Sequence, residues 1–199
     1  MTKASAVYAF IDSQNLNLGV QSQGWRLDFK KFRLYLKNKY GVEKAYLFIG
    51  MAPGNEQLYS NLSDYGYQLV FKPTVEYTEQ GKKMYKGNVD AELVLYAAAK
   101  MYWQYDRAVI VSGDGDFGCL IEYLATNNKL LKVICPNNRY SSLLRRHASY
   151  IDVIERAKNS LIYKKDQHRR SVETLGLSGH GDKRSVAKNT KKVNKRGVQ

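Results

Sequence analysis

The stretch VIVSGDGDFGCLIEYLA, Val109 to Ala125, decides how this chain is read. A β-branched apolar run ends at Ser112, aspartates alternate with glycines from Gly113 to Asp116, and a second apolar run then follows. A short continuous apolar run predicts a strand buried on both faces, and the run after the turn predicts a helix. Asp114 and Asp116 thus stand together at the end of a hydrophobic strand, in a chain whose net charge is +14. Two carboxylates this close repel, and the repulsion calls for a compensating group. That group is a lysine, an array of backbone N–H groups or a metal ion.

Outward from this unit the same alternation recurs. VYAFID (Val7 to Asp12) predicts a first strand ending on a carboxylate. Asp28 to Tyr40 predicts a helix, with an aspartate cap and a stop at Gly41. KAYLFIG and YQLVFKP predict the second and third strands, separated by a helix capped at Asn55. TVEYTEQGKKMYKGN predicts a long loop or hairpin, and VDAELVLYAAAKMYWQY the strongest helix of the chain. RAVIVSGDGD is the fourth strand and LLKVICP the fifth. SSLLRRHASY predicts a helix opened by serines, IDVIE a short strand, and the residues after it a short or frayed helix. Continuous apolar strands alternating with helices predict a three-layer α/β sandwich around a mainly parallel central sheet.

Composition bounds the rest. The chain has 199 residues, 44% of them apolar and 12% aromatic, enough for a real core. It contains no apolar run long enough to span a bilayer and no signal-like N-terminus, so no membrane partner is expected. Cys119 and Cys135 lie inside periodic apolar segments and read as free thiols of a reducing compartment, which points to the cytoplasm. His147, His168 and His180 have no metal spacing with each other or with the cysteines, so no zinc site is supported. Residues 156–199 hold 13 Lys/Arg against 3 Asp/Glu, most of the chain's excess charge. We expect a globular domain over 1–165 and a basic, disordered tail over 166–199, poor in large apolar residues. The charge points to a polyanion partner.

Ligands of open parallel α/β sheets bind at the carboxyl ends of the strands, near the point where strand order reverses. Asp12 ends the first strand, Asp114 and Asp116 follow the fourth, and Asp90 opens the long helix before that strand. If the first and fourth strands are neighbours, four carboxylates meet. Such a cluster has raised pKa values unless a divalent metal occupies it, and hard oxygen donors suit Mg²⁺ or Mn²⁺. A metal there activates water and stabilises the charge of phosphodiester cleavage. Gly113, Gly115 and Gly118 allow a tight turn and close approach of a substrate backbone. Ser112 can bond a carboxylate or phosphate; Asn15 orients a ligand or caps the first helix. An EF-hand fails, because Cys119 and Ala125 stand where that loop needs Gly and Glu. A haloacid-dehalogenase-type site fails at DSQ, and a Toprim-like site is disfavoured by Asp12 standing where a Glu belongs.

FIDSQNLN, KGNVDAELVL and VIVSGDGDFGCLIEYL, in that order, resemble the NYN domain family, the LabA-like or DUF88 branch of the PIN-like nuclease superfamily. The resemblance covers about Val7 to Glu155; DSQN stands where many relatives have DGSN. It implies a PIN-like Rossmannoid sandwich and a metal-dependent ribonuclease site. The family's acids fall on Asp12, Asp90, Asp114 and Asp116, with Asn15 and Ser112 as supporting polar groups.

Glu92 stands about 200° around the helix from Asp90 and is expected to point elsewhere. Glu122 reads as exposed or capping. Lys82, Lys83, Lys86, Tyr77 and Tyr85 lie in the polar segment before Asp90 and are candidates for RNA contact, by charge and by base stacking. Arg145 and Arg146 face RNA or solvent. The leading expectation is a Mg²⁺- or Mn²⁺-dependent ribonuclease, an endonuclease acting on RNA; the rival is a non-catalytic RNA-binding or adaptor module that keeps the acids as caps. DNA as substrate and assembly into a homo-oligomer stay open.

Overall fold

The computed structural model describes residues 5–73, 75–79, 82–86 and 89–164, with backbone alone for 73, 75–79 and 82–86. The expected tail lies outside the described residues.

A six-stranded, wholly parallel sheet forms the centre. Its strands are β1 (Val7–Asp12), β2 (Val42–Met51), β3 (Tyr67–Pro73), β6 (Arg107–Val111), β7 (Leu130–Cys135) and β8 (Ile151–Val153). Their spatial order is β3-β2-β1-β6-β7-β8. The strands β4 (Val75–Glu79) and β5 (Lys82–Lys86) form a separate antiparallel hairpin, inserted between β3 and the chain's return to the sheet. This is the doubly wound order, and it reverses between β1 and β6, which pair from Val7↔Arg107 to Ile11↔Val111. The neighbouring of the first strand and the strand before Ser112 is therefore met.

All six residues of β1 are buried, which explains its uninterrupted apolar reading. Alternate side chains feed two cores. Val7, Ala9 and Ile11 join Leu16 and Val20 of α1 (Ser13–Gln21), Phe32 and Leu36 of α2 (Phe29–Tyr40), Leu62 of α3 (Glu56–Asp64) and Leu161 of α6 (Lys158–Leu161). Tyr8 and Phe10 join Leu93 of α4 (Asp90–Leu95) and Leu120, Ile121 and Leu124 of α5 (Gly118–Thr126). Asp28 caps α2 by accepting the Lys31 N–H, and Gly41 ends it at φ 69°, as expected from the sequence.

Three local expectations differ. The helix at Asn55 has no side-chain cap from that residue; Glu56 Oε1 instead accepts the Gly54 N–H at 3.1 Å. The long helix is α-helical only to Leu95, then widens into a π-turn over Tyr96–Lys100, closed by Met101 N–H to Tyr96 O at 2.9 Å. That turn seats the Tyr96 ring against Tyr46 and Phe48. SSLLRRHASY is a 3₁₀ segment, Ser142–Tyr150, kinked at His147, with Ser141 as its cap. Among the described residues no helix is long and apolar enough to cross a membrane.

Candidate active site at the carboxyl edge of β1 and β6

Asp12 is the last residue of β1 and the N-cap of α1. Its Oδ1 accepts the N–H groups of Gln14 and Asn15, at 3.1 and 3.0 Å. The side chain is 5% exposed. Burial pushes its carboxyl above the ordinary value; the Asn15 N–H opposes this, the Asp90 charge adds to it, the Gln14 N–H opposes it again and the Asp114 charge raises it further. Among the described residues, none of the main influences on it is a cation. The question raised by the aspartate motif thus has a partial answer: backbone donors hold one oxygen of Asp12, and no described lysine neutralises the group.

Beyond β6 the chain turns through Ser112, which is 1% exposed. Ser112 Oγ accepts the Asp114 N–H at 3.1 Å, and Asp114 Oδ1 accepts the Asp116 N–H at 3.0 Å, capping a 3₁₀ turn over Gly115–Phe117. Asp114 is therefore the capping residue of this turn. Asn15 does not cap α1. Its Oδ1 accepts the Gly113 N–H at 2.8 Å, while its own N–H bonds Asp12. One side chain thereby ties the two acidic loops together.

Two of the three loop glycines, Gly113 and Gly115, face the protein itself, whereas a Cβ on Gly118 would meet only Arg146 at 4.0 Å. Gly113 and Gly115 are not among the positive-φ residues. A Cβ on Gly113 would lie 3.3 Å from both Pro136 Cδ and Tyr140 Cβ, and one on Gly115 would strike Ser141 Oγ. Ser141 N–H also bonds Gly113 O at 3.0 Å. The segment from Pro136 to Leu143 is a wall packed on the acidic loop, which corrects the expectation that Gly113 and Gly115 admit substrate. The sequence signal for the wall is the paired serines, which read first as a helix opening.

A model of the NYN domain matches residues 6–155. The chain belongs to the NYN domain family. It is 28% identical over 159 residues to the low amplitude and bright protein LabA of Synechococcus elongatus, covering 76% of this chain and 85% of that one. A crystal structure of a protein of unknown function from Vibrio parahaemolyticus shares the fold, with a TM-score of 0.66 over 82% of this chain and all of the other, at 22% identity.

The NYN family is nuclease-like; Asp12, Asp90, Asp114 and Asp116 are the acids that the sequence resemblance singled out. Of these, Asp90 and Asp114 both raise the Asp12 carboxyl through their charge, whereas Asp116 is exposed and is not among the main influences on it. Among the described residues no three His, Cys, Asp or Glu side chains form a ready-made metal group. A Mg²⁺ ion takes one or two carboxylates and keeps its waters, so Asp12 and Asp114 have the chemistry to hold one. Glu92 pairs with Lys72 at 3.0 Å, turned to another partner as the helical spacing predicts. Arg146 pairs with Glu122 at 2.8 Å, and Arg145 is exposed. Lys82, Lys83, Tyr85 and Lys86 stand on β5, opposite Glu79, Thr78, Glu76 and Val75. Their side chains, and that of Tyr77, lie outside the described residues.

Proposed function

We propose that this NYN domain is a Mg²⁺- or Mn²⁺-dependent endoribonuclease. The observation that carries the reading is the buried Asp12 carboxylate, held by backbone donors and opposed by the charges of Asp90 and Asp114. Folding keeps this group buried without a described cation beside it, an arrangement that a divalent metal would relieve. Asp12 and Asp114 would hold the ion, with Asp90 and Asp116 completing the acidic set. When bound, the ion supplies an activated water and neutralises charge on the cleaved phosphate. Asn15 keeps the two loops in fixed relation, and Ser112 holds the Asp114 turn. Lys82, Lys83, Lys86 and Tyr85 on the hairpin, with Arg145 and Arg146, contact RNA, and the basic residues 166–199 add affinity without reading sequence. This reading goes with a cytoplasmic location.

A second reading has an observation of its own. Asp12 and Asp114 both cap helical turns, which a non-catalytic RNA-binding module would also need. Calorimetric titration with Mn²⁺ separates the two. A nuclease site binds the ion and loses it in Asp114→Asn; absence of binding at millimolar metal supports the adaptor.

A further inference from the structure

At the edge of the sheet opposite the carboxylates, the turn from Met101 to Asp106 leads into β6 and displays Trp103, 88% exposed. The turn is braced on every side. Gln104 N–H bonds Met101 O at 2.8 Å. The Lys129 ammonium donates to the carbonyls of Tyr102 and Tyr105, at 2.7 and 2.5 Å, and lies 4.5 and 4.6 Å from their ring centroids. Ala6 O accepts the N–H groups of Asp106 and Arg107, and Ala6 N–H bonds Asp106 Oδ2 at 2.8 Å. A tryptophan left in water contributes nothing to the core, and here it sits on a fixed support, preorganised for contact.

Its surroundings indicate the partner. The Tyr102 ring stands edge-on to Trp103 at 5.0 Å and 5.7 Å from Tyr123, itself partly exposed. Lys44 lies 5.0 Å from the Tyr8 ring, and Lys100 lies 4.5 Å from the Tyr96 ring. Lys44 lies near the start of β2, Arg107 opens β6, Lys129 immediately precedes β7 and Lys100 immediately precedes the turn, so all four belong to this end of the sheet by position, together with Glu43 and Asp106. Interleaved aromatic and basic side chains match a single-stranded polynucleotide, whose bases stack and whose phosphates seek cations. A protein hot spot would use the same tryptophan without needing the lysines.

We propose that the Trp103 turn is a second nucleic-acid contact, a stacking platform for unpaired bases of single-stranded RNA, with Tyr123 beside it and Lys44 and Lys100 as phosphate partners. The choice of RNA rests on the ribonuclease reading. The five residues of β6 separate this edge from the carboxylates by about 17 Å, so a strand must be long enough to reach both.

The chain contains two tryptophans, and Trp25 is buried, so a fluorescence change on binding reports Trp103. The whole 199-residue chain carrying Asp114→Asn, with and without Trp103→Ala, is titrated into a dye-labelled long oligouridylate and a dye-labelled uridine tetranucleotide, and affinity is read from the anisotropy of the label. The long strand is expected to quench the exposed emission, and Trp103→Ala to weaken its binding about tenfold while leaving the melting temperature unchanged. Tetranucleotide binding at the carboxylates is expected to be indifferent to the substitution. Equal affinity of Trp103→Ala for the long strand overturns the inference while leaving the ribonuclease reading standing; absence of RNA binding by the parent overturns both. Self-association lost in Trp103→Ala, with RNA binding unchanged, would assign the turn to a second copy and overturn it as well.

Discussion

Replacing Asn15 by alanine tests the tie between the acidic loops. The substitution removes the acceptor of the Gly113 N–H, a 2.8 Å bond in a half-buried place, and leaves the Asn15 backbone bond to Asp12 intact. Leaving such a donor without its partner costs about 1–2 kcal/mol, the lower part of the usual range because water reaches part of the site. For a domain of this size that lowers the melting temperature by about 3–6 °C. Function should suffer more than stability, since a loop displaced by about an ångström moves Asp114 relative to Asp12 and costs about a hundredfold in turnover. Asn15→Asp keeps an acceptor oxygen and should recover most of the thermal loss, less the repulsion from Asp12. Circular dichroism melts of the three proteins, with cleavage of a labelled RNA, provide the comparison. A melting temperature for Asn15→Ala within about 1 °C of the parent would refute the argument that this bond joins the loops.

Other perturbations follow from single contacts. In Gly19→Ala the new methyl would strike the Pro136 ring, so a loss of about 1–3 kcal/mol is expected in urea denaturation. Tyr40→Phe removes a 2.6 Å bond to Asp152, which Lys39 also holds at 2.7 Å. Burial raises the Asp152 carboxyl, but bonds from Lys39 and Tyr40 outweigh it and leave it below its ordinary value. Its contribution is therefore present above the unfolded carboxyl's pKa and fades as pH falls through the folded one, and the ~1 kcal/mol cost of Tyr40→Phe should shrink in acid melts. Burial pushes the Cys135 thiol up to about 12, whereas Cys119 is exposed, so a thiol reagent should label Cys119 alone in the native protein, as mass spectrometry of digests would read.

Much of the fold is legible because its central strands are buried on both faces. VYAFID and RAVIV are continuous apolar runs, and their pairing in parallel puts Asp12 beside the Ser112–Asp116 turn. The acids' chain positions are legible for the same reason, since each marks a strand end or a helix start. Side-chain detail is less so. Asn15 spaced three residues from a strand end looks like a helix cap, and its bond to Gly113 spans 98 positions that no local pattern encodes. Gly113 and Gly115 of the motif read as room for substrate, but the space above them is filled by a segment some 25 residues downstream. The π-turn at Tyr96 is likewise hidden, because YAAAK has ordinary helical composition and its widening accompanies aromatic packing across the sheet.

On the proposed function, the carboxylates at the β1–β6 edge cleave RNA with a divalent ion. It is tested most directly by the cleavage rate of a labelled single-stranded RNA with Mn²⁺, for the parent protein and for Asp114→Asn at equal purity and with matching circular dichroism. Metal-dependent internal cleavage is expected of the parent, with a loss of at least about a thousandfold in the variant. Equal rates for the two proteins, or cleavage undiminished by chelating the metal, would contradict it.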